Sequence, residues 1–500
     1  MADQLQYSTT DAHRQLDGQT FDLVVIGAGI AGLNALTAAT ECLPEGASVL
    51  LLDQKNAAGG MWNTAYEYVR LHQPHPMFTV GNMAWDWRKK RDYLAARDEV
   101  QAHMAGSLKP VSEKMKLQIA FGHTVASCAD VSTEHGPMAK IVFHPNCEAT
   151  QRQTVHAKRA VHAPGLNYAL ATPLQFSSEN LVSIIPQDLH TTLQAHPDAP
   201  VVVVGGGKTG MDTVLATLGA NPAREVTLIQ GRGTNFLNRT KYLPTGLKRW
   251  TSGELASRLF RDWALFFDGD NEDDTLAHIR ANFSTDPASS NGVFLYGLQS
   301  EEEHAKVKSG VSAALSDYLE DVIDTPDGPQ IKLRSGEATA IAEGAIFVNC
   351  TGSFFRDNML SEHMPILSEN GCILSINARC GFHFLTSVSG FFTTHLWYRD
   401  QLRGQGFYTL DLEGLFRKDR NAWVGASAAQ AYMNQVIAVQ TLPMMLLDRC
   451  GLDFDRWYPF PHRMVGLMRM KSSAASDIAH CREVLDRVAQ RFDIQAGPLG

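Results

Sequence analysis

The stretch that decides the fold runs from Phe21 to Asn63: FDLVVIGAGIAGLNALTAA, a short spacer, then SVLLLDQKNAAGGMWN. Phe21 to Ile26 is an unbroken apolar run and predicts a buried strand. Gly27-Ala28-Gly29-Ile30-Ala31-Gly32 then opens a helix of small residues. Ser48 to Leu52 predicts a second strand, ending at Asp53. Strand, glycine turn, helix, strand and acid in this order form a dinucleotide-binding unit. Gly27 serves the tight turn, Gly29 the close approach of backbone to a pyrophosphate, and Gly32 the packing of helix on strand. The N–H groups that open the helix face the phosphates. Asp53 lies 21 positions past Gly32, the spacing of a carboxylate that accepts ribose hydroxyls.

The same pattern returns downstream. Val201 to Val204 runs into Gly205-Gly206-Gly207-Lys208-Thr209-Gly210-Met211-Asp212, then a helix and a strand, Glu225 to Gln230. Gln230-Gly231-Arg232 stands where the first unit has its acid. Without a carboxylate there, and with an arginine able to pair a phosphate bidentately, this unit reads as an NADP site in preference to an NAD site. Arg232 as a solvated loop charge is the plainer alternative. Lys208 has two readings too, a phosphate contact or a surface-turn lysine.

Composition bounds the rest. The chain has 500 residues, a hydrophobic fraction of 44% and a charged fraction of 19%, as expected of a globular protein with two or three domains. The formal net charge of −9 gives no overall basic excess that would point to nucleic acid or an anionic membrane. The polar N-terminus lacks the pattern of a signal peptide, and no apolar run reads as a membrane span, so a cytoplasmic location is expected. Eight cysteines are scattered without CxxC or CxxxxC spacing, which argues against a disulfide framework, a zinc site or dithiol redox chemistry. His72 and His75 have no third ligand placed by spacing, so no metal site is expected.

Between the glycine loops, Asp92 to Gly106 has helical periodicity. KLQIAF, HTVASC, KIVFHP and QTVHAKRAVHAPG alternate like antiparallel strands. After the second unit, Gly253 to Gly269 is amphipathic and predicts either a pocket cap or an ordinary packed helix. Gln330 to Leu333 and Ala345 to Asn349 resume strand character. Phe382 to His395 is aromatic and rich in small residues, and Ser476 to Phe492 predicts a tail helix with Ile478, Cys481, Val484, Leu485 and Val488 on one face.

Two glycine loops, with Gly59-Gly60-Met61-Trp62-Asn63 just after the first acid, resemble the two-dinucleotide-domain flavoproteins and specifically the flavin-containing (class B) monooxygenases. GGGKTGMD is similar to that family's NADP loop. Ala163-Pro164-Gly165 and Val348-Asn349-Cys350-Thr351-Gly352-Ser353 are similar to its domain-crossing turns, the second being where the chain re-enters the flavin domain. The resemblance implies FAD at Gly27, Ala28, Gly29, Gly32, Asp53, Gly60 and Trp62. It implies NADPH at Gly205, Gly207, Lys208, Thr209, Gly210 and Arg232, with Thr351 and Gly352 in the re-entry turn. The family's FxGxxxHxxx(Y/F/W) fingerprint is altered here: Phe176 is kept, but Ser178, Val182 and Pro186 replace the glycine, histidine and aromatic residue.

The resulting expectation is an α/β fold of two Rossmann-like domains, the second inserted in the first. A flexible residues 1–20 precede an FAD domain of 21–195 and 340–500, interrupted by an NADPH domain of 196–339 with a helical insertion. The implied activity is oxygenation of a small molecule with dioxygen through a peroxyflavin, at nitrogen or sulfur. An NAD(P)H oxidoreductase or oxidase without oxygen transfer, and a non-enzymatic flavin-binding protein, are the alternatives. His72, Gln73, His395 and Asn434 are the candidates for hydrogen-bonding the flavin ring, each weighed against a structural role.

Overall fold

In the computed structural model, residues 16–134, 136–165, 170–288, 292–352, 365–376, 386–449 and 455–499 are described. Ser353 and the start of the aromatic run, as far as Leu385, lie outside them. The first sheet has the order β3-β2-β1-β6-β5-β4, where β1 is Thr20–Ile26, β2 Ser48–Asp53, β3 Lys116–Phe121, β4 His123–Thr133, β5 Gly136–Pro145 and β6 Gln153–His162. The strands β3, β2, β1 and β6 are parallel neighbours, and β4, β5 and β6 form an antiparallel meander. Leu23, Val24 and Val25 of β1 are fully buried, because the sheet is covered on both faces. Helix α1, Ile30–Cys42, packs on one face beside the later helix Thr386–Tyr398, with Gly390 set so close to Ala31 that a side chain there would collide. Residues 1–15 lie outside the described residues; Leu16, within the expected flexible lead-in, is buried and donates its N–H to Gln153.

The second sheet is parallel. Its core is β7 (Val182–Ile184), β8 (Val201–Val204) and β9 (Val226–Ile229), joined by Ile346–Asn349, which pairs with both β8 and β7, and by Ala313–Leu315 on β9. This corrects the expected boundaries. Both β7, placed in the first domain, and Ile346–Asn349, placed after re-entry, belong to the second sheet. Short apolar strands do not declare their partners; the register with Val201 to Val204 decides it.

Residues 239–283 and the C-terminal third build a helical body together. The helix Arg420–Thr441 is buried along almost its whole length, and Asp419 caps it by accepting the N–H groups of Asn421 and Ala422. It packs on Ala256–Phe266, Glu272–Phe283 and the long helix Phe460–Phe492. The amphipathic Gly253 to Gly269 stretch is therefore a packed helix, burying Leu259, Phe260, Trp263 and Ala264. The tail helix starts 16 residues earlier than its periodicity predicts, and Cys481, Val484, Leu485 and Val488 are buried as expected.

Among the buried histidines of the first unit, two lose most of their basicity. His103 stacks on Trp85 at 4.1 Å and its Nε2 accepts the Val80 N–H; His162 ends β6. Burial pushes both down to about 4, with His75 adding to the effect at His103. Both are neutral in the folded chain, whereas in the unfolded chain they protonate below about 6.5. The unfolded state then binds more protons, so stability falls as pH drops from about 6.5 to 4, by on the order of 3 kcal/mol per histidine. Thermal unfolding followed against pH should show a decline that begins above the carboxylate range. A melting temperature that stays flat from pH 6.5 to 5 contradicts this.

Candidate active site

The first glycine loop is a close-packed turn. Gly27 has φ 103° and donates its N–H to Leu52, and a side chain on it would collide with the Ala163 carbonyl. One on Gly32 would collide with the carbonyl of Gly27. The expected Ala163-Pro164-Gly165 crossing thus closes this loop. Gly29, the residue before α1, offers no side-chain cap, and the first turn of α1 holds no acid. The N–H groups opening the helix are left for an anion. Gly59-Gly60 folds over the same turn: the Gly59 N–H donates to Ala28, and a side chain on Gly60 would lie 2.8 Å from the Gly29 Cα. Trp62 follows, edge-on to Phe78 at 6.0 Å. Asp53 sits at the end of β2, its Oδ2 accepting the Ala28 N–H at 2.5 Å and its Oδ1 the Lys55 N–H at 2.7 Å. Burial raises its pKa against these two bonds and the Lys55 charge. A carboxylate has about four acceptor positions, so two remain for ribose hydroxyls. This cradle fits the diphosphate and ribose of FAD.

The second loop repeats the construction. Gly205 has φ 126° and donates to Ile229, and a side chain on it would lie 2.7 Å from the Cys350 carbonyl. Thr351 is therefore beside the second glycine loop rather than the flavin cradle, and its N–H and hydroxyl both donate to Asn349 Oδ1. Gly352 follows it and is exposed. The helix Lys208–Ala220 also starts without a side-chain cap. A side chain on Gly210 would collide with the Gly205 carbonyl, whereas one on Gly207 would meet no atom within 4 Å. The fold does not need glycine at 207; open space beside the helix start does, once a phosphate enters it.

Past the end of β9 lies a cavity of about 580 Å³, lined among others by Gly206, Gln230, Arg232, His304 and Lys308. Arg232 is exposed at its rim, with no ion-pair partner among the described residues. His304 is 3.7 Å from Asp286. The cavity lies where an adenosine ribose is held in this fold, and its cations fit a 2′-phosphate. Lys308, in the last turn of the helix Glu301–Gly310, was not legible, since a lysine near a helix C-terminus carries no motif.

A third structure joins the two cradles. Tyr66, six residues after Gly60, donates its hydroxyl to Asp212 Oδ2 at 2.9 Å. Asp212 also pairs with Lys208, one turn earlier on the helix. Tyr68 and Thr213 share a hydrogen bond of 2.8 Å, and Gln187 donates to the Thr64 carbonyl. Lys208 is thus a half-buried, neutralised residue and not a surface-turn lysine. Thr209 begins the same helix and approaches Tyr66. Removing the carboxylate would leave Lys208 unpaired in a desolvated site. Asp212→Ala should cost about 3 kcal/mol, measured by chemical denaturation, whereas Asp212→Asn, which still bonds Tyr66, should cost less. Equal losses for the two would show that the Tyr66 hydrogen bond contributes nothing and that the lost charge carries the whole effect.

His72 lies in this junction. Its carbonyl accepts from Arg239, which also pairs with Glu303 at 2.7 Å. Burial, then the Lys208 and Arg239 charges, push its ring down to about 3, so it is a neutral imidazole. Gln73 is half-buried beside it. The other two ring candidates are elsewhere. Asn434 is buried in the helical body, its side chain closing both hydrogen bonds of the Tyr408 backbone, at 2.8 and 3.0 Å. His395 is fully buried in the last turn of Thr386–Tyr398, edge-on to Phe391 at 4.7 Å. The sequence offered no way to separate these from His72, because both sit in apolar helices whose packing partners are remote.

The altered fingerprint segment is pinned to the strand Leu319–Thr325. Ser177 bonds Asp321, and Ser178 bonds Asp324 at 2.7 Å. Phe176 packs on Phe347 at 5.2 Å. Val182, in the position of the histidine, is 54% exposed on the edge strand β7. Pro186 is buried at the start of a short 3-10 turn. Among the described residues there is no cluster of three metal-ligating side chains, and the described cysteines are all free.

Residues 21–246 match the family model described as pyridine nucleotide-disulphide oxidoreductase. The FAD-containing monooxygenase EthA of Mycobacterium tuberculosis is 24% identical over 247 residues, 47% of each chain. An uncharacterised protein of the same organism is 37% identical over 98 residues, 18% of each chain. The chain therefore spans less than half the length of these curated relatives. Among solved structures, FAD-bound DfoA, a cadaverine monooxygenase of Erwinia amylovora, aligns with TM-score 0.49 at 12% identity, over 77% of this chain and 95% of its own. Tmm of a Pelagibacter strain aligns with TM-score 0.46 at 13% identity, over 91% of each chain.

Proposed function

We propose that this chain, which belongs with the flavin monooxygenases among the two-dinucleotide-domain flavoproteins, is an NADPH-dependent enzyme that oxygenates a small molecule at nitrogen or sulfur. The observation that carries the reading is the segment Gly60 to Tyr66, which touches the first glycine loop at one end and the second loop's helix at the other. Six residues span at most about 20 Å, so the two cradles are held within reach of each other's cofactors. When bound, FAD accepts hydride from NADPH and activates dioxygen.

The residues of this chain do the rest. The uncapped helix starts at Gly29 and Gly207 bind the two diphosphates, and Asp53 takes a ribose. Arg232 at the cavity rim reads the 2′-phosphate. Tyr66, Asp212 and Lys208 fix the second helix against the first unit, which sets the distance between the rings. His72, a neutral imidazole beside Lys208 and Arg239, would accept or donate one hydrogen bond without bringing a mobile proton. No protein nucleophile is required.

Turnover with isotopically labelled dioxygen and a panel of amines and thioethers tests the proposal. One labelled oxygen in the product, coupled to NADPH oxidation, is the expected result. Val182 in the place of the family's histidine favours a second reading, an NADPH oxidase. Recovery of all consumed dioxygen as hydrogen peroxide, with every acceptor, would replace the first reading by that one.

A further inference from the structure

The chain carries a net charge of −9, yet one surface of the helical body is basic and apolar together. Two segments pack side by side there. Residues 244–253, PTGLKRWTSG, and 456–471, RWYPFPHRMVGLMRMK, contain no acid between them. They are joined by bonds from Trp457 Nε1 to the Pro244 carbonyl, from Tyr458 to the carbonyls of Tyr242 and Glu254, and from Arg249 to the Trp457 carbonyl. Leu247 is 82% exposed, Phe460 68%, Met468 59% and Trp250 54%.

A third segment brings more charge. Arg88-Lys89-Lys90-Arg91 is exposed, and Arg91 lies over the Trp457 ring at 5.3 Å, opposite Arg249 at 4.9 Å. Arg249 and Arg463 crowd Arg91 closely enough to lower its pKa, after burial. Asp86 and Asp92 flank the run and Lys89 pairs with Glu99 at 3.3 Å, so this segment adds a net excess of one positive charge to those of the other two. Large exposed side chains set beside surface cations serve a partner with an apolar interior and an anionic face.

We propose that this surface docks the protein on a lipid bilayer that contains anionic headgroups. Leu247, Trp250 and Phe460 enter the boundary between headgroups and acyl chains, where an indole is well placed. Arg88, Lys90, Lys248 and Arg249 meet the lipid phosphates. The docking is peripheral: among the described residues no helix is long and apolar enough to cross a membrane. Neither signal suffices alone, and the two together give reversible attachment.

Flotation of the full-length protein with vesicles tests this, using equal parts phosphatidylglycerol and phosphatidylcholine against phosphatidylcholine alone. The protein should float with the first and not the second, and added salt should weaken the attachment. Each cation near an anionic surface is worth about fivefold, so Arg88→Ala with Lys90→Ala should reduce partitioning about twenty-fivefold. Leu247→Ser, Trp250→Ser and Phe460→Ser together should abolish flotation while circular dichroism stays unchanged. No flotation with phosphatidylglycerol vesicles, or flotation indifferent to both sets, overturns the proposal. So does a wild-type dimer in sedimentation that the apolar set converts to monomer, which would make the surface a self-association face. Retention on duplex DNA in place of vesicles, lost with the basic pair, would overturn it as well.

Discussion

Gly207→Val should leave a folded, FAD-binding protein that NADPH no longer reduces. Apart from its chain neighbours, no atom stands within 4 Å of a Cβ at 207, and the backbone there is extended, a conformation that valine adopts freely. It fills the space where the second diphosphate must come within hydrogen-bonding distance of the helix start. Losing two or three backbone hydrogen bonds, each worth about 1 kcal/mol or more, weakens NADPH by about a hundredfold. The contrast is Gly210→Val, where the Gly205 carbonyl blocks the new side chain and the second unit itself should unfold. Isothermal titration with NADP, alongside thermal unfolding, separates the two. Normal NADP affinity in Gly207→Val would mean that the phosphates do not pass this loop.

The second large effect is on cofactor choice. Arg232 stands at the cavity past β9 without an ion-pair partner among the described residues, where an NAD-specific unit would place an acid. Arg232→Ala should raise the KM for NADPH about thirtyfold and leave that for NADH within about twofold, the loss of one charge-assisted pair of about 2 kcal/mol. A Lys308→Ala companion shows whether the second cation shares the phosphate. Parallel losses for both nucleotides would assign Arg232 to the adenine side or to the fold.

Both predictions rest on glycine loops that were legible from sequence because their logic is local. Gly27, Gly32, Gly205 and Gly210 each avoid a collision with a residue fixed by the same strand-turn-helix unit or the strand beside it. The acid Asp53 and the absent acid at Gln230 follow from the same spacing. What sequence did not reveal was which remote strand or side chain completes each unit. Ile346–Asn349 has the pattern of any buried strand, and only its pairing with β8 assigns it to the second sheet and Thr351 to the second loop. Lys208 and Asp212 stand four apart on a helix, a legible pair, but Tyr66, which completes the triad from 146 residues away, has no periodicity to announce it. Asn434 and His395 were ring candidates by their place in the chain, one in a probable helix and the other after the re-entry turn. Asn434 instead holds the Tyr408 backbone.

The central claim is that the segment from Gly60 to Tyr66 holds two cofactor cradles in reach of one another. Anaerobic mixing of the FAD-loaded protein with NADPH tests it most directly. The account predicts rapid bleaching of the visible flavin band, faster with NADPH than with NADH, and slowed in Tyr66→Phe at saturating NADPH. A flavin band that stays unchanged with FAD still bound would contradict it.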